Sequence, residues 1–232
     1  MMSKASAFDL KAEEYDAWYD SGQGKPLYES ELKCLESLVP EGALPLLEIG
    51  TGTGRFAMRF PGAFGLDPAF SALKLARKRG IRCVSGVGES LPFRDNVFKT
   101  VLIIATLCFV RDPLAVLCEV ARVLAPGGII VAGFIPRGSN WGLLYEKKRT
   151  EGSLLYRDAR FYTLSDVESF AKAAGLCVTQ MMSTLFQNPT GPASLEEPRY
   201  RHVEGAGFVF LRLEKKKESG GQERREKSCP DG

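Results

Sequence analysis

The chain is 232 residues long, with 31 lysines and arginines against 28 aspartates and glutamates, six cysteines and 44% hydrophobic residues. That length suits one domain with an ample core, and the near-neutral balance argues against a broad basic face for nucleic acid. A lone histidine, His202, makes a His-based triad or a multi-histidine metal site improbable, so no metal is expected.

In chain order, the N-terminal Met1–Trp18 stretch lacks the apolar segment of a signal peptide. The cysteines form no C-x-x-C pair and no dense disulfide spacing, which points to a reducing, cytoplasmic location. Short apolar runs at Leu44–Ile49, Ala63–Leu66, Ile81–Val84, Thr100–Thr106 and Gly128–Ile135 predict strands. Helical patterns lie between them at Thr53–Phe60, Ala69–Arg79 and Pro113–Leu124. In the last, Leu114, Leu117, Val120 and Leu124 share one face, with Asp112 as N-cap and Pro113 in the first turn. Buried strands separated by helices predict a doubly wound α/β fold around a mostly parallel sheet. The longest apolar run, Val101–Val110, is ten residues, about half of the ~20 that a membrane span needs.

After Ile135 the pattern changes. Residues 136–162 are polar and aromatic and read as an insertion or lid. Ser165–Ala174 predicts a helix with Ser165 as N-cap, Glu168 completing a capping box and Gly175 as the stop. Leu176–Met182 and Gly207–Leu213 predict two closing strands, paired antiparallel at the sheet edge and joined by the loop Gln187–Glu204. Residues 214–232, with six basic and five acidic side chains and no aromatic, are expected to form a disordered charged tail, leaving about +2 on the body.

The most informative segment is Leu46-Leu47-Glu48-Ile49-Gly50-Thr51-Gly52-Thr53-Gly54-Arg55-Phe56. A strand runs into three alternating glycines, which allow a sharp turn and close approach of a ligand, and a following helix would direct its free N–H groups there. Seventeen residues after Gly50 comes Asp67, at the end of the second strand, where a carboxylate can accept both hydroxyls of a ribose. Together these features indicate a ribose-containing cofactor. The dinucleotide fingerprint G-x-G-x-x-G would place a third glycine where Arg55 stands, and Glu48 would repel a pyrophosphate but attract an ammonium. Both departures favour S-adenosylmethionine over a nicotinamide cofactor.

On four ordered signals the chain resembles the class I S-adenosylmethionine-dependent methyltransferases, in particular the small-molecule type that includes the ubiquinone and menaquinone biosynthesis enzymes. The signals are Leu47 to Gly54, Gly65-Leu66-Asp67, Gly88-Glu89-Ser90-Leu91-Pro92-Phe93 with Asp95, and Arg122-Val123-Leu124-Ala125-Pro126-Gly127-Gly128. The resemblance runs from about Tyr15 to Leu213 and implies a seven-stranded, Rossmann-like sheet whose last strand is antiparallel, within a domain over 1–213. It implies that Gly50, Thr51, Gly52 and Gly54 shape the cofactor loop, that Glu48 organises this loop and the methionine amino group, and that Asp67 holds the ribose. It further places the Val87–Glu89 turn, with Gly88 and Glu89, beside the adenine, and Ala105 and Thr106 at the sulfonium. Tyr15-Asp16-Ala17-Trp18-Tyr19 matches a segment that folds over the cofactor, making residues 8–40 an N-terminal cap. Two positions depart from the family pattern: Val87 replaces an Asp that would accept from the adenine amino group, and Phe98-Lys99 replaces Phe-Asp at the start of the fourth strand.

The resemblance implies methyl transfer to a small molecule, and the mostly non-basic body argues against a nucleic-acid partner. Such a displacement requires alignment and exclusion of water rather than a metal or a covalent intermediate. Tyr15 and Tyr19 are candidates to cover the methyl group, against simple helix packing. His202 is the base candidate, although its polar loop favours a solvated surface position. Trp141, Tyr145, Arg160 and Phe161 are candidates for an acceptor pocket, with an aromatic lid packed on its own domain as the alternative; Arg160 offers a planar fork for a carboxylate or phosphate. A nicotinamide-dependent oxidoreductase and a non-catalytic S-adenosylmethionine-binding regulator are the competing functions.

Overall fold

Alternating side chains along four central strands face two helical layers, and this alternation builds the molecule. The computed structural model describes residues 7–216. Two N-terminal helices, α1 (Ala7–Trp18) and α2 (Gly24–Leu38), precede β1 (Leu46–Ile49), β2 (Phe64–Asp67), α3 (Phe70–Lys78) and β3 (Arg82–Ser85). Then follow β4 (Phe98–Ile104), α4 (Pro113–Val123), β5 (Leu124–Phe134), α5 (Asn140–Thr150), α6 (Leu164–Ala173), β6 (Leu176–Thr184), β7 (Arg199–Tyr200) and β8 (Phe208–Lys215).

The strands form one sheet in the order β3-β2-β1-β4-β5-β8-β6-β7. The first five are parallel, and β8 runs antiparallel to both β5 and β6. The sheet therefore has eight strands rather than the expected seven. The addition is the two-residue β7, which pairs with β6 at the edge through Met182 and Ser183. The last strand is antiparallel as expected, inserted between β5 and β6 and paired antiparallel with β6.

On one face Leu46, Leu102, Ile104, Val131, Phe208 and Phe210 pack against α2 and α5 through Leu27, Leu35, Leu38, Trp141 and Tyr145. On the other, Leu47, Ile49, Val101, Ile103, Ile130 and Leu211 pack against α4 and α6 through Val116, Val120, Val167 and Ala171. Each fully buried Leu, Ile or Phe of these layers is worth about 1.5–3 kcal/mol.

Local signals set the helix ends. Asp112 accepts from the backbone N–H groups of Leu114 and Ala115, with Pro113 in the first turn, as expected. The cap of α6 differs: Thr163 and Asp166 form the capping box, two residues before the expected Ser165 and Glu168. Both pairs satisfy the same spacing, and the earlier start lets Val167 and Ala171 face the core. Strand β8 continues through Lys215, so Glu214 and Lys215 belong to the sheet and not to a tail. The rest of the expected tail, from residue 217, lies outside the described residues. None of the described helices is long and apolar enough to cross a membrane.

Candidate functional site

Strand order reverses between β1 and β4, and there the carboxyl ends of β1, β2 and β4 open into a cavity of ≈ 540 Å³. Such a crevice is where open α/β sheets bind ligands. The glycine loop forms its floor. Gly50 has φ +67°, and a Cβ there would stand 2.3 Å from Oγ1 of Thr106, so strand β4 approaches as closely as it does only because residue 50 has no side chain. Gly52, at φ +52°, has nothing within 4 Å of its Cβ position and lies bare on the cavity wall.

The expected helix over Thr53–Phe60 is absent. A turn leads only to a 3-10 segment at Ala57–Arg59, because Pro61-Gly62 follows at once and the chain must enter β2 at Phe64. Side chains hold the loop in place of helix N–H groups. Oε2 of Glu48, 1% exposed, accepts from the hydroxyl of Thr51 at 2.8 Å and the backbone N–H of Ala57 at 3.0 Å. Burial nevertheless pushes its carboxyl up to about 8. Asp67 accepts the N–H of Gly52 on Oδ2 at 2.8 Å and that of Ala69 on Oδ1 at 2.7 Å, and burial raises its pKa too.

The remaining walls come from three further segments. Val87, Gly88 and Glu89 line the side beyond β3, where Glu89 accepts the backbone N–H of Arg111 at 2.8 Å. Ala105 and Thr106 close the end of β4; Ala105 sits at φ +50°, a left-handed conformation costly for a residue with a Cβ, held by its N–H bond to Gly133 at 2.8 Å. Helix α1 forms the roof with Phe8, Ala12 and Tyr15, and Tyr19, in the turn that follows it, continues the same face. The hydroxyls of Tyr15 and Tyr19 are hydrogen-bonded at 2.9 Å, and Phe8 packs edge-on against Phe109 with ring centres 5.0 Å apart.

The cavity thus presents three acidic side chains, Glu48, Asp67 and Glu89, and an aromatic roof, with two arginines on its wall, Arg111 and Arg55, the latter already paired with Asp16 and Asp20. The acceptors Glu48 and Asp67 beside the glycine loop suit a ligand with hydroxyls and positive charge there. Residues 47–132 match the methyltransferase domain family. A Thermotoga maritima structure described as an S-adenosylmethionine-dependent methyltransferase, possible histamine N-methyltransferase, is 34% identical, with a TM-score of 0.83 over 90% of this chain and 98% of that one. The chain is a class I S-adenosylmethionine-dependent methyltransferase. Uncharacterised proteins of Mycobacterium tuberculosis and Methanocaldococcus jannaschii are 45% and 38% identical, each over 90% of this methyltransferase and over 74% and 99% of their own lengths.

In this methyltransferase the cavity brings together Tyr15, Tyr19, Glu48, Gly50, Thr51, Gly52, Asp67, Gly88, Glu89, Ala105 and Thr106. Gly54 is not on its wall. At φ +83°, its Cβ position lies 3.0 Å from Cβ of Ala76, so its small size serves the contact with α3. The residues expected to line an acceptor pocket lie elsewhere. Trp141, Tyr145 and Phe161 are buried in the core beneath the sheet's α2 face, where stacking on one another removes them from the cavity wall. Arg160 is exposed and is fixed by its backbone N–H to the carbonyl of Cys108 at 2.7 Å. His202 is exposed in the loop after β7, outside the cavity.

The methyltransferase also uses residues that the motifs did not reveal. Asp16 accepts from Oγ1 of Thr53 at 2.6 Å, from Arg55 and from Arg79, fastening α1 onto the loop. Burial opposes its ionisation, yet those hydrogen bonds hold its carboxyl down at about 2. The spacing of Phe8, Ala12, Tyr15 and Tyr19 is a legible helical face, whereas the pairing of Asp16 with Arg55 across 39 residues carries no local signal.

Proposed function

We propose that this methyltransferase acts on a small-molecule acceptor held under the α1 roof, with the cofactor lying along the glycine loop. In this reading Asp67 accepts the ribose hydroxyls with the lone pairs left over from Gly52 and Ala69. Glu48 faces the methionine ammonium, whose charge would restore ionisation to its buried carboxyl. Gly50, Thr51 and Gly52 let the backbone approach the ligand, Gly88 and Glu89 border the adenine, and Ala105 and Thr106 border the reacting end. Exposed Val87 offers the adenine an apolar contact and no acceptor, so backbone groups of the turn serve instead.

Bound S-adenosylmethionine supplies a methyl group on a good leaving group, and the protein contributes alignment and a dry site. Such positioning is worth about 7–11 kcal/mol. Burial raises Tyr15 to about 12 and Tyr19 well above the usual phenol range, so both act as neutral hydrogen-bond donors rather than bases. The observation that carries the reading is the placement of the Asp67 and Glu48 carboxylates in one cavity with the roof of Phe8, Tyr15 and Tyr19.

Calorimetric titration with S-adenosylmethionine, S-adenosylhomocysteine and NAD tests it. Micromolar binding of the first two with none of NAD is expected, followed by methyl transfer to acceptors of metabolite size. Transfer confined to a macromolecular acceptor would overturn the small-molecule assignment.

A further inference from the structure

Arg111 is a cation on the cavity wall whose guanidinium is unpaired. It follows Phe109 and Val110 in the segment between β4 and α4, and all three residues line the cavity. Hydrogen bonds pin that segment along its length. The N–H of Phe109 donates to the carbonyl of Thr106 at 2.9 Å, and the carbonyl of Cys108 accepts from the N–H of Arg160 at 2.7 Å. The N–H of Arg111 donates to Oε1 of Glu89 at 2.8 Å, so Glu89 meets the main chain and forms no ion pair with the guanidinium. Asp112, next in the chain, is occupied in capping α4. Among the described residues the exposed side chain of Arg111 makes no hydrogen bond, ion pair or ring contact. The other arginine of the wall, Arg55, is held by Asp16 and Asp20.

The wall beside Arg111 is apolar. The ring of Phe109 lies edge-on to Phe8 of the roof at 5.0 Å, and Phe8 lies edge-on to Tyr15 at 5.6 Å. Through its bond to Thr106, Phe109 also adjoins the end of β4, which borders the reacting end of the cofactor in the reading above. One short wall thus runs from the reacting end, over an aromatic surface, to an unpaired planar cation on a fixed backbone. A guanidinium offers parallel donors to a carboxylate, and such charge-assisted pairs are the strong ones. The complementary molecule is an acid with an apolar body. Its carboxylate meets Arg111, its body lies against Phe8 and Phe109, and its nucleophile reaches toward Thr106. Resting on the methyltransferase reading above, we propose that Arg111 binds the acceptor and selects small molecules that carry a carboxylate.

The test is calorimetry on the full chain saturated with S-adenosylhomocysteine, for wild type and Arg111→Gln. The probes are 3-phenylpropanoate and indole-3-acetate, with 3-phenylpropanamide as the uncharged counterpart and 2-phenylethylamine as the cationic one. The acids are expected to bind wild type at least about tenfold more tightly than the amide or the amine. Arg111→Gln should lose at least about tenfold in acid affinity while its S-adenosylhomocysteine affinity stays within about twofold, which reports an intact cofactor site. Acids that bind wild type no better than the amide, that bind the variant as tightly as wild type, or that fail to bind the loaded protein would overturn the proposal. A variant that loses S-adenosylhomocysteine affinity instead would assign Arg111 to the cofactor and overturn it as well. Wild type that fails to bind S-adenosylhomocysteine itself would overturn the reading of the cavity, and this proposal with it.

Discussion

Asp16 of α1 accepts from Nε of Arg55 at 2.8 Å and from Nη2 at 2.9 Å, so a residue of the N-terminal cap grips the residue that follows the last glycine of the loop. Arg79 donates to the same carboxylate at 2.8 Å and to the carbonyl of Thr53 at 2.7 Å. Roof and floor of the cavity are thereby one hydrogen-bonded unit.

Breaking that unit should loosen the cavity. Asp16→Asn is expected to cost about 1–3 kcal/mol at neutral pH, the scale of hydrogen bonds to a charged group. The folded-state pKa lies below the ordinary aspartate value, so the contribution is present above about pH 4 and lost as pH falls toward about 2. Urea denaturation of wild type and variant at several pH values should show their difference shrinking across that window.

The carboxylate of Asp67 has two duties. Asp67→Ala should weaken S-adenosylmethionine binding by tenfold or more, about 1.4 kcal/mol, read by calorimetry. Because the N–H groups of Gly52 and Ala69 lose their acceptor, the variant should also unfold at lower urea. Undiminished cofactor affinity would remove Asp67 from the ribose.

Glu48 gives the opposite pH signature to Asp16. Its folded-state pKa is raised to about 8, so the ligand-free protein loses stability as pH rises from the ordinary carboxylate range through about 8. Glu48→Gln should lose less stability than wild type over that range, yet bind S-adenosylmethionine more weakly. Denaturation at about pH 6 and about pH 9, with calorimetry alongside, separates the two effects.

Two glycine substitutions should fail differently. Gly50→Ala drives a Cβ into Thr106 at 2.3 Å and should lower the melting temperature sharply. Gly52→Ala meets no atom within 4 Å; its left-handed φ should cost only about 1 kcal/mol, while the methyl narrows the cavity and weakens cofactor binding. Melting curves with and without S-adenosylhomocysteine distinguish them.

Sequence alone determined the sheet's first five strands, helices α3 and α4 and the cofactor loop, because each rests on local chemistry: apolar runs, the Asp112-Pro113 start and glycines where the backbone must turn. It also placed Glu48 and Asp67 at strand ends, and both lie in the cavity. Tertiary structure decided what depends on distant segments. The helix pattern after Gly54 gave way to a 3-10 turn, since the path into β2 overrode local propensity. The aromatic residues Trp141, Tyr145 and Phe161 carry the same composition whether they line a pocket or fill a core, and packing against α2 and β8 placed them in the core. Asp16 of α1 and Arg55 of the loop lie 39 residues apart, so only folding could reveal that this carboxylate is satisfied.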